Sequence, residues 1–237
     1  MTLRVVFAPG AIFKLFESAS GGQDPPSCVM KSGSACCWFL VMTVAVSAAE
    51  RGWKLNARHD AVARLDGQGA VHLETQSEEG TARVSRELQV PDDTQEVHVQ
   101  VDWRPHDNYK AAGIFTLTSF DANHALVKIL TVPGRNRLSY STGDNRSAMT
   151  TAPYRVGHWH RIHVRVSRGV YHLAVIDRGP ENLRGVRVVF DSQRDLKTPP
   201  SLMNHERPLR KFVATAFPNQ GKQGYSFELA NFKYSLK

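Results

Sequence analysis

The sequence predicts an all-β fold, a sandwich of two antiparallel sheets, on three observations. From Glu50 onward apolar residues recur with a period of two, the segments that do so are short, and turn-forming residues separate them. No segment shows the apolar stripe of an amphipathic helix.

The clearest strand is Glu96–Trp103, where Val97, Val99, Val101 and Trp103 alternate with His98, Gln100 and Asp102, so that one face is buried and the other meets water. Similar runs follow at Gly113–Ser119, Ala125–Thr131, Arg137–Ser141, His160–Val166, Val170–Asp177 and Val186–Phe190. Lys211–Ala216 and Tyr225–Tyr234 complete the set. Between them stand turn compositions such as Pro91-Asp92-Asp93, Val132-Pro133-Gly134-Arg135-Asn136, Thr142-Gly143-Asp144-Asn145 and Ser167-Arg168-Gly169. Arg165 to Tyr171 reads as a tight hairpin whose turn Gly169 permits. The one long irregular connection runs from Asp191 to Pro208 and contains Pro199 and Pro200.

Composition bounds the function classes. With 237 residues, 41% hydrophobic content and a net charge of +8, the chain is long enough for a packed core and is neither disordered, collagenous nor a polytopic membrane protein. Cys28, Cys36 and Cys37 are its only cysteines, so the body of the protein has no disulfide framework, cysteine-ligated zinc or cysteine nucleophile.

The amino-terminal stretch has the layout of a targeting segment. Lys31 precedes an apolar run from Ala35 to Val46, and Ser47, Ala48 and Ala49 follow, which is the three-part pattern of a secretory signal peptide. The run is shorter than the ~20 residues a membrane-spanning helix needs. The expected organisation is therefore an upstream extension or mis-assigned start over 1–29, a signal peptide over 30–49 cleaved after Ala48 or Ala49, and one sandwich domain over 50–237. A long charged leader and an uncleaved anchor are the alternatives. The expected location is secreted or periplasmic, with no stable membrane span after cleavage. Residues 50–237 retain 27 basic and 20 acidic side chains. That surplus suits anionic partners, of which an exported protein meets acidic polysaccharide more often than nucleic acid; it also serves solubility by itself.

Alternation supplies the candidate contacts. If Ile162, Val164 and Val166 face the core, Arg161, His163 and Arg165 line the outer face of the same strand. By the same rule neighbouring strands offer His98, Lys128 and His172. Were those strands adjacent, the six residues would form a positive band across one sheet. Arginine grips a carboxylate or sulfate bidentately, lysine supplies charge, and an aromatic ring stacks on the apolar side of a sugar. Trp103, Tyr109, Tyr140 and Tyr154, at strand ends or in loops, are candidate stacking residues, although packing is the better explanation of each alone. Trp159 reads as a core anchor. His158 and His160 share a strand face and could reach one metal, although no third or fourth ligand follows from the sequence. The acids Glu74, Glu78, Glu79, Asp92 and Asp93 fall in turns and match no calcium loop, leaving open only a structural calcium at an irregular site. No other cofactor is expected. Asn145-Arg146-Ser147 fits the N-glycosylation pattern, and no serine-hydrolase, nucleotide or zincin motif occurs.

Three phrases carry a family resemblance: VSRELQVPDDTQEVHVQVDW followed by AAGIFTLTS (Ala111–Ser119); Gly157-His158-Trp159-His160-Arg161-Ile162-His163-Val164 followed by Gly169–Asp177; and a closing strand Phe227–Tyr234 that returns beside the first. In these the chain resembles the concanavalin A-like lectin/glucanase superfamily, the jelly-roll group that includes laminin-G-like modules. The resemblance implies a jelly roll with a glycan groove on one sheet. The paired-carboxylate motif of the glucanase branch is absent. Of the alginate-lyase branch's strand motifs, Ser85-Arg86-Glu87-Leu88-Gln89 and Val170-Tyr171-His172 echo two, and the middle one is missing. The expected function is a carbohydrate-binding, lectin-like module for acidic polysaccharide. The alternatives are a polysaccharide lyase or divergent glycoside hydrolase on the same fold, and a structural or protein-interaction domain.

Overall fold

The computed structural model describes residues 52–77, 79–107, 112–119, 124–142, 148–181, 187–203, 206–217 and 225–237. The expected leader (30–49), the stretch before it, Tyr109 and the Asn145-Arg146-Ser147 acceptor lie outside these residues.

Among the described residues, fourteen strands and one helical turn follow in order. They are β1 (Lys54–Arg58), β2 (Val62–Leu65), β3 (Val71–Thr75), β4 (Thr81–Glu87), β5 (Glu96–Pro105), β6 (Ala112–Thr118) and β7 (Ala125–Val132). Then come β8 (Arg137–Ser141), β9 (Ala148–Pro153), β10 (Trp159–Ser167), β11 (Val170–Gly179), β12 (Arg187–Asp191), α1 (Ser192–Asp195), β13 (Lys211–Ala216) and β14 (Tyr225–Leu236). Every pairing is antiparallel, in two seven-stranded sheets: a front sheet ordered β1-β4-β13-β6-β7-β8-β9 and a back sheet ordered β12-β11-β10-β5-β14-β3-β2. Each of the nine expected strands is present, and β14 does return beside β5.

Alternation decides which side chains meet between the sheets. Val97, Val99, Val101 and Trp103 of β5, with Ile162 and Val164 of β10, pack against Val84 of β4, Leu117 of β6 and Phe212 of β13 in one continuous core. Tyr140 of β8 and Phe190 of β12 close one side at 5.7 Å between ring centres. At the β10–β11 turn, Arg168 and Gly169 both adopt positive φ, 45° and 79°, the conformation a two-residue hairpin needs to match the strand twist.

The four short strands β1 to β4, and β9, were not predicted as strands. In β1 only Leu55 turns inward, leaving the other positions polar or exposed, so the strand has too little apolar rhythm to read. In the expected irregular connection, Asp191 caps α1 by accepting the Gln193 N–H at 2.9 Å.

Candidate functional site

On the back sheet, Arg161, His163 and Arg165 of β10 do lie on one outer face. The register sets them opposite Asp102, Gln100 and His98 of β5, with His172 of β11 opposite Arg165 on the other side. Five of the six predicted residues are thus neighbours. Lys128 does not join them: β7 belongs to the front sheet, so its side chain leaves the sandwich on the opposite side. Period two fixes which residues share a strand face, but the order of strands decides which faces share a sheet.

The back face is a network of paired charges. Arg161 makes a fork with Asp102, 2.7 and 3.0 Å, and Asp102 is fully buried. Asn231 stands at a bulge in β14 with φ 53° and donates to the same carboxylate at 2.9 Å. Glu96 accepts from His98 at 2.6 Å and has Arg165 at 3.7 Å; that His98 bond, with the nearby cations, holds the Glu96 carboxyl below its ordinary range against burial. His98 and His163 stack, with nitrogens 3.3 Å apart. Burial, then the neighbouring His98, Arg165 and Arg161, push His163 down. His172 is lowered by burial and by Arg165.

The other aromatic and histidine candidates are structural. Trp103, Tyr140 and Tyr154 are core residues rather than surface platforms. Trp159 is buried but lies outside the main core, under the Arg104 guanidinium, which sits 4.8 Å above its ring. His158 bonds Asp177 at 2.9 Å and His160 accepts the Arg155 N–H at 3.2 Å, so each spends a ring nitrogen on the fold. The two phrases that echo alginate lyases fall on opposite sheets, and Tyr171 is buried with its hydroxyl donating to the Ser141 carbonyl.

The front sheet is different chemically. Its strands carry Lys54, Arg58, Arg83, Arg86, Lys128, Arg137 and Lys211 against a single acid, Glu87. The back-sheet strands carry seven cations against six acids. Arg86 packs over Trp53 and Phe232, 5.4 and 5.1 Å from the ring centres; the remaining front-sheet cations occupy outward positions.

One rung across the front face reads Lys54, Ser85, Val213, Thr116, Lys128, and the next reads Asn56, Arg83, Thr215, Gly113, Leu130. The floor between Arg83 and Lys128 consists of small side chains. Phe217 lies against it: a Cβ on Gly113 would stand 3.3 Å from two atoms of that ring, so the missing side chain is what lets the ring lie down. Neither Arg83 nor Lys128 has an ion-pair partner among the described residues. Sequence reasoning missed Arg83 because β4 was not read as a strand, and missed Phe217 because it follows β13 instead of lying within it.

A sialidase has a TM-score of 0.56 with this chain at 15% identity, covering 79% of it. The fold is concanavalin A-like. The chain spans only 17% of that sialidase's length. An alginate lyase matches at TM-score 0.51 and 11% identity, with 82% of this chain and 99% of that one covered. A cellulose-induced protein matches at TM-score 0.50 and 10% identity, over 78% of this chain and 92% of its own. No protein-family model and no curated protein matches the sequence. Identities this low speak for the two-sheet jelly-roll sandwich alone. Among the described residues no helix is long and apolar enough to cross a membrane.

Proposed function

We propose that this chain is an exported carbohydrate-binding module that holds acidic polysaccharide on the outer face of the front sheet, between Arg83 and Lys128. The observation that carries the proposal is the charge asymmetry: seven cations and one acid on the front strands, against near balance on the back. A cation with no carboxylate neighbour keeps its donors for a ligand.

The geometry suits a polyanion. Arg83 and Lys128 stand three strand spacings apart, about 14 Å, a span a short oligosaccharide covers. Small residues between them leave room for sugar rings, and Phe217 offers an apolar face for stacking. Structural neighbours with this fold include proteins described as a sialidase, an alginate lyase and a cellulose-induced protein, which points the same way. Export rests on the leader-like segment over 30–49.

The test is retardation of the purified chain in native gels cast with a polyuronate or with a neutral glucan, with ultraviolet absorbance followed in parallel for unsaturated ends. Expected are retardation by the polyuronate, about tenfold weaker in Arg83→Ala/Lys128→Ala, and no change in His163→Ala/Arg165→Ala. If the back-face pair abolishes retardation and the front pair does not, the front-sheet assignment is wrong. Rising absorbance would replace the binding module with a lyase.

A further inference from the structure

Independently of polysaccharide binding, the back sheet carries a second cluster at its other end. The registers place His72 of β3, Glu228 of β14 and Arg104 of β5 side by side on the outer face. His106, the next outward position after Arg104, is fixed by its own N–H, which donates to the Ser226 carbonyl at 3.1 Å. His72 Nδ1 and His106 Nε2 thereby come within 3.9 and 3.6 Å of one oxygen, Glu228 Oε1.

We infer that His72, His106 and Glu228 form a binding site for a divalent transition metal of the zinc class, with the fourth position open to solvent. Donor atoms from the three residues lie within 4.8 Å of one another. Tetrahedral zinc, with bonds of ~2.0–2.1 Å, needs them about 3.4 Å apart, which small side-chain rotations supply. Two imidazoles and one carboxylate suit zinc, nickel or copper and are too rich in nitrogen for calcium or magnesium.

The surrounding groups already orient the ligands. Arg104 holds the other carboxylate oxygen, Glu228 Oε2, with its Nε at 2.7 Å, which leaves Oε1 facing the histidines. Glu74 stands 3.3 Å from His72 Nε2, so that nitrogen carries the hydrogen and Nδ1 presents its lone pair to the cluster. Gln76 donates to the second oxygen of Glu74 at 3.0 Å. A carboxylate behind a histidine in this manner is the usual support of a metal-bound imidazole. The Arg104 charge weakens cation binding and the Glu74 charge offsets it. His106 is exposed, so the ion's free side meets solvent and is open to an exogenous ligand.

The experiment is calorimetric titration of the full chain, stripped with chelator, with zinc sulfate alone, repeated with cobalt to read coordination geometry from visible absorption. The expected result is one saturable equivalent, with His72→Ala and His106→Ala each weakening binding at least about tenfold. His106 is exposed, so its variant keeps the fold, and circular dichroism verifies this. Absence of saturable binding by the folded chain overturns the inference, as does a one-equivalent site that keeps its affinity in the His72→Ala/His106→Ala pair.

Discussion

The two sheets arise from the same alternating pattern and their strands carry the same number of cations, yet they do opposite things with them. On the back sheet the arginines of β5 and β10 each have a carboxylate on an adjacent strand, so their charge is used within the fold: Arg161 on Asp102 and Arg104 on Glu228 directly across the register, Arg165 diagonally towards Glu96. Among the described residues the front-sheet cations have no such partner beyond Glu87, and Arg83 and Lys128 are left in outward positions with no ion pair. Conspicuous histidines and arginines in a sequence are therefore poor guides to a binding surface until their acids are placed. The plain lysines and arginines among serines and threonines are the ones left over.

The strongest test removes the best-buried acid. Asp102→Ala would leave the partly exposed Arg161 and the exposed Asn231 without their shared acceptor, and the loss should be about 3 kcal/mol, the low end for a broken pair, because water reaches the guanidinium that remains. Lys128→Ala on the front face, by contrast, should stay within about 0.5 kcal/mol of the parent. Urea unfolding of both variants measures the difference. A loss under about 1 kcal/mol for Asp102→Ala would reduce the back-face network to ordinary surface pairs.

Acid should act on the same asymmetry, because the front-sheet strands contain no histidine and the back-sheet strands contain five. Burial pushes the His160 imidazole down to about 4, against the upward pull of Asp177, with His158 and Arg155 also close by. Above its ordinary value of 6.5 the ring is neutral in both the folded and unfolded chain, and pH has no effect through it. Between 6.5 and about 4 the unfolded chain takes up a proton that the native ring refuses, so stability falls as pH falls, and below that window the loss is complete. The full loss is on the order of 3 kcal/mol. His163 and His172, also lowered by burial, add with the same sign. Asp177 acts on a second route: its carboxyl is lowered, by a backbone bond from Gly179 and by His158 against burial, so its contribution disappears as acid protonates it. Urea midpoints at pH 7.5 and 4.5 should show this loss, and His160→Gln, which keeps an acceptor for the Arg155 N–H, should flatten most of it. An equally steep profile in that variant would place the acid sensitivity elsewhere.

The fold was legible wherever one strand face is wet, because Val97 to Trp103 and Ile162 to Val166 write their burial directly as period two. It was not legible in β1, where Leu55 alone turns inward, or in β2, which offers only four residues. The site was half legible. Arg161, His163, Arg165, His98 and His172 do share a face, as their alternation requires, while Lys128 went to the other sheet because strand order is a long-range property. Asp102 reads from sequence as a wet position between Val101 and Trp103; the Arg161 fork and the Asn231 bond, both long-range, are what permit its complete burial. The His72–Glu228 pair joins residues more than a hundred positions apart, and no local pattern announces it.

The smallest expected effect on stability sharpens the contrast most. Glu87 is the lone acid of the front strands and bonds both Lys54, at 3.3 Å, and Lys211, at 3.1 Å. Burial raises its carboxyl, and the two lysines outweigh that and hold it below its ordinary value. The Lys54 pair is largely exposed, so Glu87→Gln should cost about 0.5 kcal/mol or less. It would nevertheless release two cations into the rung system that contains Arg83 and Lys128. Retention by polyuronate should therefore become stronger, and its dependence on salt steeper, because more ion pairs form when the polymer docks. A neutral substitution on the back face, such as Glu74→Gln, should leave retention unchanged. If Glu87→Gln weakens retention instead, Glu87 contacts the sugar itself and the front face recognises hydroxyls rather than charge.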